Sequence, residues 1–216
     1  MTSMKFTARL FLIGALALPL FATGNVRAQS DYPNKPVRVI VAAAPGGNPD
    51  ILGRLIAQKL TNALGKPFVV ENVPGAGGVV AAKMVAGLPN DGHVIMLGDS
   101  GAMAINVALT PDLPYKPLTD FTPVTALAQV PTWREQGVPA DSGSWRGMLG
   151  AKGMTPAQIA FWDRAFSALV KTDDWKKELE ENFWENVYAD SRGTKKRLDE
   201  EYGEYKAMLG ELGYAK

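Results

Sequence analysis

The chain has 216 residues, with 23 lysines and arginines against 22 aspartates and glutamates, a single histidine and no cysteine. The near-neutral balance, without a basic stripe, excludes a nucleic-acid binder recognised by charge. The lack of cysteine excludes a disulfide framework and thiol chemistry, and one histidine supplies too few nitrogen and sulfur ligands for a zinc or iron centre.

The first 28 residues form a segment of their own. Lys5 and Arg9 make a basic start, Leu10 to Ala22 is apolar, and Val26-Arg27-Ala28 resembles a small-residue cleavage site. Gly14 and Pro19 interrupt the apolar run, which is short for a membrane span. The pattern predicts export, with a retained N-terminal anchor as the alternative. Without Lys5, Arg9 and Arg27, twenty basic residues face 22 acidic ones. No metal, cofactor or nucleic acid is expected.

Val37 to Ala42 is a β-branched run of strand length. After it, Pro45-Gly46-Gly47 turns into a helix on which Ile51, Leu52, Leu55, Ile56, Leu60 and Leu64 share an apolar face. Asn48 is the expected N-cap, Pro49 suits the first helical position, Asp50 favours the positive helix end, and Gly65 and Pro67 stop the helix. The backbone N–H groups at Gly46 and Gly47 would then line a pocket for an anion, although any α/β unit needs a tight turn there.

The same sequence of elements recurs twice. A strand over Pro67–Glu71 leads through Asn72 to Gly78 into a helix over Val79–Gly87, and a strand over His93–Leu97 leads through Gly98-Asp99-Ser100-Gly101 into a short helix reaching Val107. Three βα units predict a parallel sheet with all three loops on one edge, where such folds bind ligands. Gly75-Ala76-Gly77-Gly78 does not complete a dinucleotide fingerprint, because Val80 stands where the third glycine belongs. Ser100 and the Gly101 N–H could meet a ligand at this edge, whereas Asp99 repels an anion unless the ligand also brings a donor or cation. His93 at a strand edge reads as structural.

Pro111 to Pro123 is a proline-rich connection and Val124–Val130 a further strand. Pro131 to Gly143 is polar and turn-like. Trp145–Ala151 is a strand, in which Trp145 is the tryptophan to watch for ligand contact and Arg146 could meet a carboxylate bidentately. Thr155-Pro156-Ala157-Gln158 is a capping box, opening a helix lined by Ile159, Trp162, Phe166 and Leu169. Trp175, Leu179, Phe183 and Trp184 continue on a second helix, Asn186–Ala189 makes a short edge strand, and Ser191–Leu209 is a last amphipathic helix carrying Leu198, Tyr202, Tyr205 and Leu209.

Several of these segments together resemble one family. Tyr32-Pro33 with Pro36 to Val41, Pro45-Gly46-Gly47 with Asp50, and Val70-Glu71-Asn72 with Pro74 to Gly78 are similar to Bug-type receptors. So are Asp91-Gly92, Ala104-Ile105-Asn106, Asp120 to Val124, Pro131-Thr132 with Glu135 to Val138, and Trp145-Arg146-Gly147. Bug-type receptors are the periplasmic solute-binding proteins of the tripartite tricarboxylate transporter family. The resemblance implies an α/β periplasmic-binding-protein-like domain, a mainly parallel sheet flanked by helices. It implies a non-enzymatic clamp that captures a small organic acid (a di- or tricarboxylate, or an aromatic acid) for membrane permease subunits. By position the ligand-holding role carries over to Pro45, Gly46, Gly47 and Asp50, and to Gly77, Gly78, Ser100 and Gly101. Val73 and Asp99-Ser100 depart from the family's usual residues.

The family carries a second domain between segments that both match Val130-Pro131 here. The resemblance therefore implies a signal peptide over residues 1–28, the first part of domain one over 29–130 and its C-terminal return over 131–216. The second lobe is missing, deleted near 130–132. A clamp with one jaw would bind weakly and self-associate through its exposed hinge face. The alternatives are an exported enzyme using the glycine loops as an oxyanion or phosphate site, an inactive truncated product, and a protein–protein module.

Overall fold

The computed structural model describes residues 32–110, 112–130 and 144–213. The predicted export segment and the polar stretch from Pro131 to Gly143 lie outside the described residues.

The elements run in order β1 (Val37–Val41), α1 (Asn48–Leu64), β2 (Phe68–Asn72), a 3₁₀ turn (Ala76–Gly78) and α2 (Val79–Ala86). Next come β3 (Val94–Asp99), a π turn (Gly101–Ile105), α3 (Asn106–Leu109), α4 (Pro117–Asp120) and β4 (Phe121–Val130). The chain closes with β5 (Ser144–Ala151), α5 (Pro156–Leu169), α6 (Asp173–Glu181), β6 (Glu185–Ala189) and α7 (Ser191–Glu211).

The six strands among the described residues form one sheet in the order β2-β1-β3-β5-β4-β6. The β2-β1-β3 half is parallel, as three successive βα units require. The other half is antiparallel at each pairing, β3 to β5, β5 to β4 and β4 to β6, so the whole sheet is mixed. β4 begins at Phe121, earlier than the expected Val124, and takes in Pro123 at a shift of register against β5. Such an irregularity accommodates a residue that cannot donate to the ladder.

Helices cover both faces of the sheet, and strand alternation divides the core accordingly. Val37, Val39 and Val41 of β1 and Ile95 and Leu97 of β3 pack with Leu52, Ile56 and Leu60 of α1, Trp162 and Phe166 of α5, and Trp175 of α6. Ile40, Met96, Trp145 and Leu149 point the other way, onto Ala81 and Val85 of α2, Met103 of the π turn and Leu198 of α7. Fully burying an aromatic or large aliphatic side chain contributes about 1.5–3 kcal/mol, and Trp145, Trp162, Trp175 and Phe166 are all essentially inaccessible.

The expected ends of α1 and α5 take two different forms. Gly65 ends α1 in the left-handed conformation, its N–H bonded to the Thr61 carbonyl. At the other end the N-cap is Gly47 rather than Asn48, which is the first helical residue, and no side chain among the described residues caps the helix. The capping box of α5 is complete: the Gln158 N–H donates to Thr155 Oγ1 at 3.3 Å and the Thr155 N–H to Gln158 Oε1 at 2.7 Å. The Trp162 indole N–H then donates to the Tyr32 hydroxyl, which donates to the Gly92 carbonyl. This relay ties the start of the domain to α5.

One expected helical residue leaves its helix. α6 stops at Glu181, and Phe183 has φ +55° and is 83% exposed, so only Trp175 and Leu179 hold that helix in the core. Trp184 instead packs against the core from the start of the next segment. On α7 Leu198 is buried, while Tyr202, Tyr205 and Leu209 are half-buried.

Two glycines give a paired test of the packing. A Cβ on Gly147 of β5 would lie 2.4 Å from the Thr125 carbonyl oxygen of β4 and 3.0 Å from the Trp145 ring. Gly203 of α7 has no atom within 4 Å of that position. Gly147→Ala is therefore expected to cost about 3 kcal/mol in urea unfolding, and Gly203→Ala to add about 1 kcal/mol.

Candidate functional site

Every strand of the β2-β1-β3 half ends at the same edge, and β4 ends and β5 begins there too. The expected ligand residues Pro45, Gly46, Gly47 and Asp50 follow β1, Gly77 and Gly78 follow β2, and Ser100 and Gly101 follow β3. The topology thus brings these loops to one edge of the sheet.

The chemistry of the first loop differs from the expectation. Asp50 is 3% exposed. Its Oδ2 accepts the Gly46 N–H at 2.9 Å and the Arg54 Nε–H at 3.0 Å, and its Oδ1 accepts the Asn72 side-chain amide at 2.9 Å. The main-chain donor assigned to a ligand is therefore occupied by a carboxylate of the protein itself. The Asn72 amide also donates to the Ala43 carbonyl, and Arg54 Nη2 donates to Asn72 Oδ1. The network fastens the end of β1, the first turns of α1 and the end of β2 together. The Arg54 hydrogen bond first, then those from Gly46 and Asn72, hold the Asp50 carboxyl down at about 2. Arg54 lies one helical turn after Asp50, a spacing legible in sequence. Asn72 comes from another strand and carries no local signal.

The Gly47 carbonyl accepts the N–H groups of Asp50 and Ile51 and so starts the helix. Among the described residues, the N–H groups of Gly47 and Asn48 meet no acceptor. After β2, Gly77 and Gly78 have φ +60° and +94°. They are held close: the Asn106 amide donates to the Gly77 carbonyl at 3.0 Å, and a Cβ on Gly78 would lie 3.0 Å from Ala102 Cβ. The Gly78 N–H is used by the Gly75 carbonyl.

Around Ser100 the strand runs further than its composition suggests. Gly98 and Asp99 belong to β3, not to a loop, because they pair with Gly147 and Arg146 of β5. Asp99 Oδ1 accepts the Ala102 N–H at 2.8 Å and so caps the following turn. Ser100 is buried, its hydroxyl 3.2 Å from that of Ser144. Arg146 Nη1 donates to the Ser144 hydroxyl and to the Trp145 carbonyl at 3.1 Å. Ser144, absent from the sequence-based candidates, thus joins Ser100 to Arg146.

Trp145 is a correction. The alternation of β5 turns its ring to the α7 side, where it is 1% exposed and its Nε1–H donates to Glu201 at 2.5 Å. A ring buried in the core cannot stack on a ligand at the edge. Burial raises the Glu201 carboxyl, against the lowering effect of the Trp145 bond. An acid whose native value is raised favours folding while protonated, so its ionised form weakens the native state as pH rises. Glu201→Gln keeps an acceptor for Trp145 without the charge. Urea unfolding is expected to show this variant gaining stability relative to the parent chain between pH 4 and pH 7.5.

Asn48, Leu52, Ala128, Gln129, Arg146 and Trp184 line a crevice of about 10 Å³ between the start of α1 and the end of β4. A volume of this size holds one water-sized group. A wider open groove of about 590 Å³ lies where the opposite ends of β3, β4 and β5 meet, with Lys83 and Lys152 near Asp120. His93 belongs to that opposite end: its Nδ1 meets the Asp91 carbonyl at 2.9 Å and its Nε2 accepts the Asn34 N–H at 3.3 Å. About 20 Å of strand separates His93 from Ser100, so the two do not form a nucleophile–base pair.

Residues 52–142 match the family model described as the tripartite tricarboxylate transporter family receptor. The protein BugT of Bordetella pertussis is 37% identical over 129 residues, 59% of this chain and 39% of BugT. The chain spans about two-fifths of the length of the curated relatives it matches. Among solved structures, the periplasmic binding protein BugD aligns with a TM-score of 0.78 at 17% identity, over 86% of this chain and 100% of that one. The R. palustris protein Rpa4515, solved with adipate, aligns with a TM-score of 0.75 at 19% identity, over 86% of this chain and 99% of that one. At these identities the likeness is one of fold.

Proposed function

We propose that this chain, whose residues 52–142 match the model of the tripartite tricarboxylate transporter family receptor, is an exported receptor lobe for a small organic acid. The acid sits at the edge where β1, β2 and β3 end and is passed to membrane permease subunits in the periplasm. The observation that carries this reading is the crevice where the start of α1, the end of β4 and Arg146 meet. Adipate, the molecule bound to Rpa4515, is a dicarboxylate and sets the size of acid to test.

The lobe binds with one jaw. On this reading the second domain of the family is missing near 130–132, as the resemblance of the flanking segments implies. Ligand pockets commonly bury 70–90% of a small ligand. A crevice with room for one water-sized group takes part of one carboxylate and leaves the rest in solvent. Water then screens the charged contacts that a closed clamp would strengthen. Phe183 is 83% exposed next to Trp184, one of the crevice walls, and supplies an apolar patch for self-association.

An exported enzyme using the glycine loops has no observation in its favour, since the sequence's one histidine stands at the far end of β3 from Ser100. Thermal unfolding with adipate, succinate, citrate and benzoate tests the receptor reading. At 100 times its dissociation constant a ligand adds about 2.7 kcal/mol. The expected result is an upward shift that needs millimolar acid. A transition that no acid moves would overturn retained recognition.

A further inference from the structure

The chain's one histidine closes a polar cluster at the end of the sheet opposite the three glycine-rich loops. His93 is 7% exposed, and both of its ring nitrogens are engaged. Nε2 lies 3.3 Å from the main-chain nitrogen of Asn34. A backbone N–H can only donate, so Nε2 accepts and carries no proton. The ring proton is then on Nδ1, 2.9 Å from the Asp91 carbonyl oxygen, which also accepts the Gln158 side-chain amide at 2.7 Å. These partners hold His93 in one neutral tautomer.

Two of the contacts around the ring fasten the strap that leads into β1, Tyr32 to Pro36. Asn34 is tied to Nε2 through its N–H, and Lys35 Nζ donates to Asp91 Oδ2 at 2.7 Å. Tyr32 stands edge-on to the His93 ring at 5.0 Å, and its hydroxyl joins the Gly92 carbonyl to the Trp162 indole. The turn before β3 brings the Asp91 carboxylate, whose Oδ1 is 3.4 Å from Nδ1, and the strap brings the Lys35 ammonium. Tyr32 stays neutral, because burial raises its hydroxyl. From β1, Arg38 donates its main-chain N–H to the His93 carbonyl, while its guanidinium pairs with Glu71 of β2. The contacts from α5 are uncharged: Gln158 and the rings of Phe161 and Trp162.

We propose that His93 is an acid-operated latch on this strap. Histidine is the side chain whose charge changes between about pH 5 and 8. The added proton goes to Nε2, where it points at the Asn34 N–H, and two donors cannot share that contact. The new charge also draws Asp91 Oδ1 towards Nδ1 and so competes with Lys35 for the carboxylate. One proton therefore removes the Asn34 tie and weakens the Lys35 tie, while the Tyr32 hydroxyl keeps both of its bonds. The opening is local, because β1 pairs with β2 and β3 through backbone bonds in which the imidazole takes no part. The latch works wherever on the molecule a ligand sits.

NMR on the ¹⁵N-labelled full chain, from pH 7.5 to pH 5, tests the latch. The imidazole nitrogens report the ring's protonation, and amide exchange corrected for its intrinsic pH dependence reports the strap. The Asn34 amide is expected to lose at least about 5-fold of its protection, the scale of one hydrogen bond. That loss should follow the same curve as protonation of the ring, while the amides of β1 and β3 keep theirs. His93→Gln offers an oxygen to the Asn34 N–H and cannot take the charge, so its Asn34 protection should stay level across the range. Asn34 protection that is unchanged while the ring takes its proton overturns the inference, as does a ring that takes no proton by pH 5. A loss that persists in His93→Gln, or one shared by β1 and β3, overturns it too. Should His93→Gln fail to fold, the two curves of the parent chain decide: coincidence supports the latch and separation refutes it.

Discussion

Asp50 surrenders its water to donors that all belong to its own domain, and this decides which groups remain free at the edge where β1 and β2 end. A carboxylate in the first turn of a helix is favoured by the helix dipole, and here it also takes a main-chain N–H from the β1–α1 turn and an amide from β2. The turn is rigid because its charge is satisfied from within. The same bonds occupy the Gly46 N–H, so that main-chain donor is not free at the edge.

The mixed sheet explains why the end of β3 and the start of β5 meet at one edge. A wholly parallel sheet would need a crossover before another strand could lie beside β3. The antiparallel return of β5 instead brings its first residues to the edge where β3 ends. Covering both faces of the sheet with helices keeps that edge fixed, with Trp162 and Phe166 on one side and Trp145 and Leu198 on the other. Preorganisation on rigid elements is what a recognition site requires. Strong capture further requires the exclusion of water.

Much of this was legible in the sequence where the signal was local. The run of Val37 to Val41, the apolar stripe of α1 with its Gly65 stop, and the capping box at Thr155 depend on residues within a few positions of one another. Distant partners carried no such signal. The continuation of β3 through Asp99 depends on Arg146, 47 positions later in the chain. The burial of Trp145 was hidden because a strand covered on both faces gives no sign of which side a ring takes. Phe183 kept the helical spacing of Trp175 and Leu179, but the backbone turns to φ +55° there and puts the ring into solvent. The role of Asp50 was half legible: its position in the first turn was plain, and the amide from Asn72 that makes it an internal acceptor was not.

The measurement that tests this account most directly is the NMR titration of the Asp50 side-chain carboxyl, with and without a saturating acid ligand. A carboxylate locked by Arg54, Gly46 and Asn72 should titrate at about 2, below the ordinary 3.8, and its resonance should stay in place when ligand is added. Titration near the ordinary value, or a clear movement of Asp50 and the Gly46 N–H on ligand addition, would mean that the first turn is open to the ligand rather than closed by Asp50.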